Sequence, residues 1–336
     1  MCTAIIYKTR DTYFGRNLDL EYSYNETITI TPRKFPFHFR EAATIDTHYA
    51  MIGVAYVVPD QNGDDYPLYY DAINEKGLGI AGLNFVGNAK FFPIDQAKDN
   101  ITPWEFIPWV LSQCASVDEA KRLIQKMNFY DNKFSDELPV AELHWIISDP
   151  NHSITIESTS AGLTIYDNPI GVLTNNPPFP AQLFQLNNYI SISAKDPKNT
   201  FAPELKLSRY GSGIGTRNLP GGLDSQSRFV RACFHKSHAI SNSDEDNSIS
   251  QYFHILHSCD QSRGSNEIKP DNYEITVYSS GYNLEKGICY YTTYDNHQIS
   301  AVEMHKTKLD SKKIINYPMI KTEQINYQTK NRIRHI

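Results

Sequence analysis

What this 336-residue chain lacks narrows its function before any motif is considered. It has no long uncharged apolar run. Its first twenty residues, MCTAIIYKTRDTYFGRNLDL, carry Lys8, Arg10 and Asp11 and hold neither a signal-peptide core nor a membrane span, so the cytoplasm is the expected location. It has no excess of positive charge: 32 Lys and Arg against 38 Asp and Glu leave a formal net charge of −6, which gives no footprint for nucleic acid or an anionic membrane. Neither is expected as a partner. Cysteine is scarce and irregular. Cys2, Cys114, Cys233, Cys259 and Cys289 are odd in number and form no CxxC pair, which sets aside a disulfide framework. His235 beside Cys233 and His257 beside Cys259 lack zinc-site spacing, so no metal is expected. The Gly-rich stretch 211–222 has no GxGxxG spacing and no Walker lysine, and reads as a loop. Internal repeats and low-complexity segments are also absent.

What remains is a chain long enough to bury a core without staples. Its 22 Tyr, 16 Phe and 3 Trp suit an aromatic-lined pocket for a small molecule. The segments 3–7 and 12–18 flank the polar KTRD and predict a hairpin, while 26–32 alternates like a half-buried strand. Segments 49–58 and 77–85 are apolar strands, separated by PDQNGDD with its Asn62-Gly63 turn signal. Thr102 to Glu105 predicts a capping box, opening a helix that Pro108 kinks, and Ser116 to Glu119 predicts a second. Strands at 143–148, 153–158, 162–166 and 170–174 are too closely spaced for βαβ units and predict an antiparallel meander. Helices at 182–190, 225–239 and 246–258 precede final strands at 273–279, 288–294 and 299–304, and 321–336 reads as a loosely held tail. This order predicts an α+β fold of antiparallel sheet covered by helices.

The most informative position is the second. A small side chain after Met1 favours removal of the initiator, which would leave Cys2 with both a thiol and a free α-amine. Their reference pKa values, about 8.5 and about 7.7–8.0, put a nucleophile and a base in one residue near neutrality, a combination suited to acyl transfer. With a hairpin turn centred on 9–10, paired numbers sum to about nineteen, so Cys2 faces Gly15-Arg16-Asn17, with Asp19 just beyond. Arg16 would stabilise a thiolate and Asp19 would hold the amine. Strict alternation puts the two on opposite faces, so both reach Cys2 only if the strand bulges or ends near Gly15 or Leu18. Read singly, each is equally an ordinary surface charge.

The opening segment, together with NEKGLGIAGLNF (74–85), GVLTNNP (171–177) and SRF (227–229), resembles the choloylglycine hydrolases, which are bile salt hydrolases and penicillin V acylases among the N-terminal-nucleophile hydrolases. The resemblance runs from Cys2 to Pro318. It implies one αββα domain over 1–336 with Met1 removed and a tail from 319, no cofactor, and a homotetramer. It further implies that Cys2 is the nucleophile, that Arg16 and Asp19 are the pair beside it, that Asn84 and Asn175 shape the oxyanion site, and that Arg228 is a further cation near the sulfur. The residues also have readings of their own. Asn84 in an apolar strand is a costly buried amide unless paired, and is equally a satisfied core amide. Asn175 before Asn176-Pro177 also fits a turn or cap. Arg228 near the start of a predicted helix opposes the helix dipole and needs a compensating partner.

Asn at position 84, where penicillin V acylases often carry Tyr, favours bile acids conjugated to glycine or taurine as substrates. Penicillin V or another N-acyl amide is the alternative, and a catalytically silent steroid-binding homologue is a third reading. Leu18, Leu20, Tyr24, Phe129 and Phe134 are candidates to line a steroid pocket and are equally readable as core. Two loops depart from the family pattern. Leu219-Pro220-Gly221 is followed by Gly222 instead of Asp, and PDQNGDD is longer than in many members. Both bear on substrate preference and assembly.

Overall fold

The computed structural model describes residues 1–60 and 63–330; Asn62 of the predicted turn and the last residues of the predicted tail lie outside the described residues. Two antiparallel sheets stack face to face. The first has six strands in the order Val172–Leu173, Cys2–Lys8, Thr12–Leu20, Ile275–Asn283, Ile288–Thr293, Asn296–Glu303. The second has eight, in the order Gly162–Asp167, Ser153–Thr159, Leu143–Ser148, Gly79–Asn84, Asp65–Asn74, Met51–Pro59, Thr27–Thr31, Ile315–Pro318. Helices Ser225–His238 and Glu245–His257 cover the outer face of the first sheet, and Phe106–Gln113 covers that of the second. The layers are αββα. Among the described residues no helix is long and apolar enough to cross a membrane.

This layering explains the burial pattern that matters for function. Thr12–Leu20 lies between the second sheet on one face and helices on the other, so every residue but the last is buried. Ile275–Asn283 beside it is buried throughout. Polar side chains on such strands cannot reach bulk water and must find partners within the protein. Arg16, Asn17 and Asp19 are therefore obliged to take part in networks.

Several elements differ from the sequence expectation. The strand Asp65–Asn74 follows the Asn62-Gly63 turn signal and pairs back on Met51–Pro59, although its run YPLYYDAIN was not expected to form a strand. Only the first three segments of the expected meander pair in order. Val172–Leu173 crosses to the first sheet and pairs with Cys2–Lys8, carrying the chain into Thr174 and Asn175. The first predicted capping box is half formed: Glu105 Oε2 accepts from the Thr102 N–H at 3.0 Å as expected, but the Thr102 hydroxyl donates to the same oxygen at 2.9 Å instead of accepting from Glu105 N, and the helix begins only at Phe106. Pro108 then falls in the first turn, where it has no intrahelical bond to break, so no kink follows from it. The second box is half as expected, with Ser116 Oγ accepting from Glu119 N at 3.3 Å while Glu119 reaches back to Ala115 N. The helix expected over 182–190 starts earlier, at Phe179–Gln185, and tightens into a 3₁₀ turn over Leu186–Tyr189.

Candidate active site

The hairpin brings the first residues together as predicted in kind, with a shift in register. Cys2 pairs with Leu18 and Lys8 with Thr12, so the turn holds residues 9–11 and paired numbers sum to twenty. The ladder between them has no register break, and the expected bulge in this pair is absent. Alternation accordingly holds. Cys2, Arg16 and Leu18 face the second sheet, while Thr3, Asn17 and Asp19 face the helices.

Each face supplies a different part of the site. Between the sheets, Arg16 Nη2 donates to Cys2 Sγ, Nη1 to the carbonyls of Gly82 and Tyr70, and Nε to the carbonyl of Asn17. At the sheet edge, the Cys2 backbone N–H donates to Asn175 Oδ1 at 2.8 Å. On the helix face, Arg228 is fully buried; Nη1 donates to the Cys2 carbonyl and to Thr3 Oγ1, and Nη2 to Asn175 Oδ1 at 2.8 Å. Its Nη1 stands 3.9 Å from Asp19 Oδ2. The unfavourable place of Arg228 in the first turns of its helix is thus compensated by Asp19 and Asn175, and Asp224 Oδ1 caps that helix at Ser227 N, 3.0 Å away.

Asp19 Oδ1 accepts from Thr276 Oγ1 at 2.7 Å, but its Oδ2 is buried with no hydrogen-bond donor among the described residues. The Met1 ammonium donates to the Asp19 carbonyl at 2.7 Å and also meets Glu274. Asp19 thus meets the chain terminus through its main-chain carbonyl, while its carboxylate lies on the helix face with Arg228 and Thr276. Asn84 ends the strand Gly79–Asn84 half-buried, not buried as the apolar run suggested, and its carbonyl accepts from Asn175 Nδ2 at 2.9 Å. The six residues Cys2, Arg16, Asp19, Asn84, Asn175 and Arg228 are linked in one constellation.

Burial drives the electrostatics. It pushes the Asp19 carboxyl up against the opposing pull of Arg228, the chain terminus and Thr276. It pushes the Met1 ammonium down. It would also lower Arg16, but the Cys2 sulfur, Tyr278, Asp71 and Asp19 more than offset it, so the guanidinium is held more firmly charged than usual. Asp260, hydrogen-bonded to Asn17 Nδ2 at 3.0 Å on the helix face, is pushed up to about 8 by burial and by the charge of Asp19.

The five apolar candidates divide. Leu18 is buried directly opposite Cys2, and Leu20 is packed against the same core. Tyr24 is exposed, its ring beside Tyr22 and Tyr56. Phe129 must be corrected to core: it is buried and stacks on Trp145 at 4.6 Å, behind the second sheet. Phe134 packs on Trp104 and Tyr66 beside a cavity of about 290 Å³ that also meets Phe39 and Pro59, and it belongs to that same outer cluster. Both were candidates to line the pocket, but they pack in the cluster outside the second sheet while Cys2 lies in the one between the sheets. At Gly222, the family departure, a Cβ would come within 2.8 Å of Asp224 Oδ2 and Ser227 Oγ, side-chain atoms that would have to shift to admit it.

Sequence reasoning missed Asp71 and its partners Tyr278, Ser280 and Tyr282, all fully or nearly fully buried beneath Arg16. The available signal was a lone carboxylate in YPLYYDAIN just after a hairpin turn.

A two-sheet αββα sandwich with a cysteine at the head of a central strand is the fold of the N-terminal-nucleophile hydrolases. Penicillin V acylase from Agrobacterium tumefaciens shares it, with a TM-score of 0.74 at 18% identity over 94% of this chain and 91% of that one. The relation is closer to conjugated bile acid hydrolase from Clostridium perfringens, whose C2A variant superposes with a TM-score of 0.89 at 37% identity over 97% and 99% of the two chains. The model of linear amide C–N hydrolases, choloylglycine hydrolase family, matches residues 2–317. The chain belongs to the choloylglycine hydrolase family. Among its relatives, a bile salt hydrolase/transferase of Lactiplantibacillus plantarum is 51% identical over 95% of this chain and 97% of that protein. The bile salt hydrolase/transferase of Clostridium perfringens is 38% identical over 97% and 99%.

Proposed function

We propose that this chain is a bile salt hydrolase that cleaves the amide joining a bile acid to glycine or taurine, using Cys2 after Met1 has been removed. The observation that carries the reading is the convergence on Cys2, with Arg16 on its sulfur, Asn175 on its nitrogen and Arg228 on its carbonyl. The names of its relatives support the substrate class. Cys2 Sγ attacks the amide carbonyl and its proton passes to the α-amine, which Asp19 and Asn175 orient. Amide donors from Asn84 and Asn175 hold the oxyanion. The amine then gives its proton to the leaving nitrogen, the C–N bond breaks, and an acyl-thioester remains. Water, deprotonated by the same amine, releases the bile acid and regenerates the thiol. An amine taking the place of water would give a new amide, matching the transferase half of the relatives' names.

Single-domain organisation over 1–336, a cytoplasmic location and a homotetramer belong to the same proposal. The last is supported by the segment from Phe184 to Tyr210, where Phe184, Ile190, Phe201 and Tyr210 are largely exposed, an apolar surface that assembly would cover. Light scattering on the purified protein reads the mass directly. The decisive experiment is intact mass followed by hydrolysis of glycocholate, taurocholate and penicillin V by the parent chain and Cys2→Ser. Loss of Met1, bile salt turnover and an inert Cys2→Ser are expected. Retained Met1 or an active Cys2→Ser overturns the nucleophile, and faster turnover of penicillin V overturns the substrate.

A further inference from the structure

The two sheets are tied together directly beneath Arg16. Tyr278, Ser280 and Tyr282 alternate along Ile275–Asn283, so they present three hydroxyls on one face. All three donate to one carboxylate of the opposite sheet: Tyr278 Oη to Asp71 Oδ2 at 2.5 Å, Ser280 Oγ to Oδ1 at 2.9 Å, and Tyr282 Oη also to Oδ1. Every group is buried. The same cluster holds the Arg16 main chain, whose N–H donates to Ser280 Oγ at 3.1 Å, and Arg16 Nη1 reaches the carbonyl of Tyr70, the residue before Asp71.

No carboxylate lies within ion-pair distance of Arg16 among the described residues, and Asp19 is engaged by Arg228. Between two dry sheets an unbalanced guanidinium is costly, and its own hydrogen bonds run to carbonyls and to the Cys2 sulfur. Among the described residues Asp71 is the carboxylate that acts on Arg16 from that face.

We propose that Asp71, held by the hydroxyls of Tyr278, Ser280 and Tyr282, is a positioning residue that balances the charge of Arg16 and thereby sets the titration of the Cys2 thiol. The proposal rests on Cys2 being the nucleophile. With Asp71 ionised, the pull of Arg16 on the sulfur is moderated. Without it, Arg16 has the sulfur as its nearest anion and draws out the thiolate. Burial leaves the Asp71 carboxyl above its ordinary value although Arg16 and the three hydroxyls pull it down; the three donated hydroxyl hydrogens are what mark it as an acceptor-only carboxylate. The titratable groups acting on this pair are Cys2, Tyr70, Tyr278 and Tyr282, with the Met1 amine, Asp19 from the other face of the strand, Tyr252 from the covering helix and Cys289 from the next strand.

The test follows alkylation of Cys2 by iodoacetamide against pH, read on the N-terminal peptide by mass spectrometry in the parent chain, Asp71→Asn, Tyr278→Phe and Tyr69→Phe. Tyr69 is a matched control, a buried hydroxyl paired with Thr31 at 2.6 Å. Asp71→Asn is expected to lower the alkylation midpoint by about one pH unit, or about tenfold more thiolate below it, and the acid limb of kcat/KM should move with it. Tyr278→Phe weakens the carboxylate's hold on its charge and should shift the midpoint the same way by less, which carries the test if Asp71→Asn does not fold. Tyr69→Phe should lower the melting temperature alone. A purely structural tie would make all three variants less stable with the midpoint unmoved, and that result, or an upward shift, overturns the proposal. Alkylation requires no bile salt: a shifted midpoint in a chain that hydrolyses none would overturn the substrate reading and leave this one standing.

Discussion

Arg228→Met is the most searching single change, because it keeps side-chain length and removes one buried charge. Arg228 is fully buried, donates to the carbonyls of Leu223 and Cys2, to Thr3 Oγ1 and to Asn175 Oδ1, and is the cation near Asp19 Oδ2. Breaking one side of a buried pair costs about 3–5 kcal/mol, mainly because the surviving charge is stranded, and a typical domain has only about 5–15 kcal/mol to lose. Asp19 would be that stranded charge, left with the hydroxyl of Thr276 as a donor. Asp19→Asn in the same chain should relieve it. The double variant is therefore expected to be more stable than the sum of the singles by about 1–3 kcal/mol. Urea melts at neutral pH should show a lower midpoint with unchanged slope for Arg228→Met, partly restored in the double variant. The pH dependence has a definite sign. The folded pKa of Asp19 is already raised, and losing Arg228 raises it further, so stability is retained at low pH and lost as pH rises through that value. The deficit should be largest near neutrality and shrink toward pH 4. Additive single variants, or a deficit independent of pH, would refute the reasoning.

Four further expectations follow from the same geometry. Asn84→Ala should lower kcat by about 10²–10³ with little change in KM, since its half-buried side chain is free to meet a developing oxyanion; stopped assays on glycocholate check this. Asn175→Ala should add a stability loss of about 1–3 kcal/mol, measured by urea, because its Oδ1 holds both Cys2 N and Arg228. Asp260 holds a proton in the folded chain up to about pH 8 and in the unfolded chain only below about 4, so its contribution is complete below pH 4 and is lost as pH rises toward 8, by at most about 1.4 kcal/mol per unit. Asp260→Asn should flatten the fall of melting temperature between pH 5 and 8, and an unchanged slope would count against the burial argument. Gly15→Ala should give little soluble protein, because a Cβ there runs into the Ser280 carbonyl of the neighbouring strand; normal yield and an unshifted urea midpoint would contradict that close approach.

How far the site could be read from the chain depends on how local each contact is. The hairpin is local, so its register could be counted from the turn, and the error of one came from three turn residues standing where two were assumed. Asn84, Asn175 and Arg228 were legible only through motif resemblance, since nothing in periodicity says that the crossover after Val172–Leu173 delivers Asn175 to the nitrogen of Cys2. Asp71 was invisible for a stronger reason: its three donors lie about two hundred residues away, on a strand whose alternation is hidden because both faces are buried. Phe129 shows the reverse error, an aromatic whose sequence position near a loop suggested a pocket while its stacking on Trp145 places it in the core.

The alternation that looked like an obstacle in the sequence is the basis of the site. An N-terminal cysteine has to do two incompatible things, keep a sulfur poised beside a cation and keep an amine beside an anion, without the two charges of the protein neutralising each other. Placing Arg16 and Asp19 three residues apart on an unbulged strand puts the sheet itself between them. Arg16 then answers to Asp71 across the sandwich, and Asp19 to Arg228 beneath the helix. A bulge bringing both to one face would join Arg16 and Asp19 as an ordinary ion pair, and the Cys2 sulfur would lose Arg16 while Arg228 lost its carboxylate.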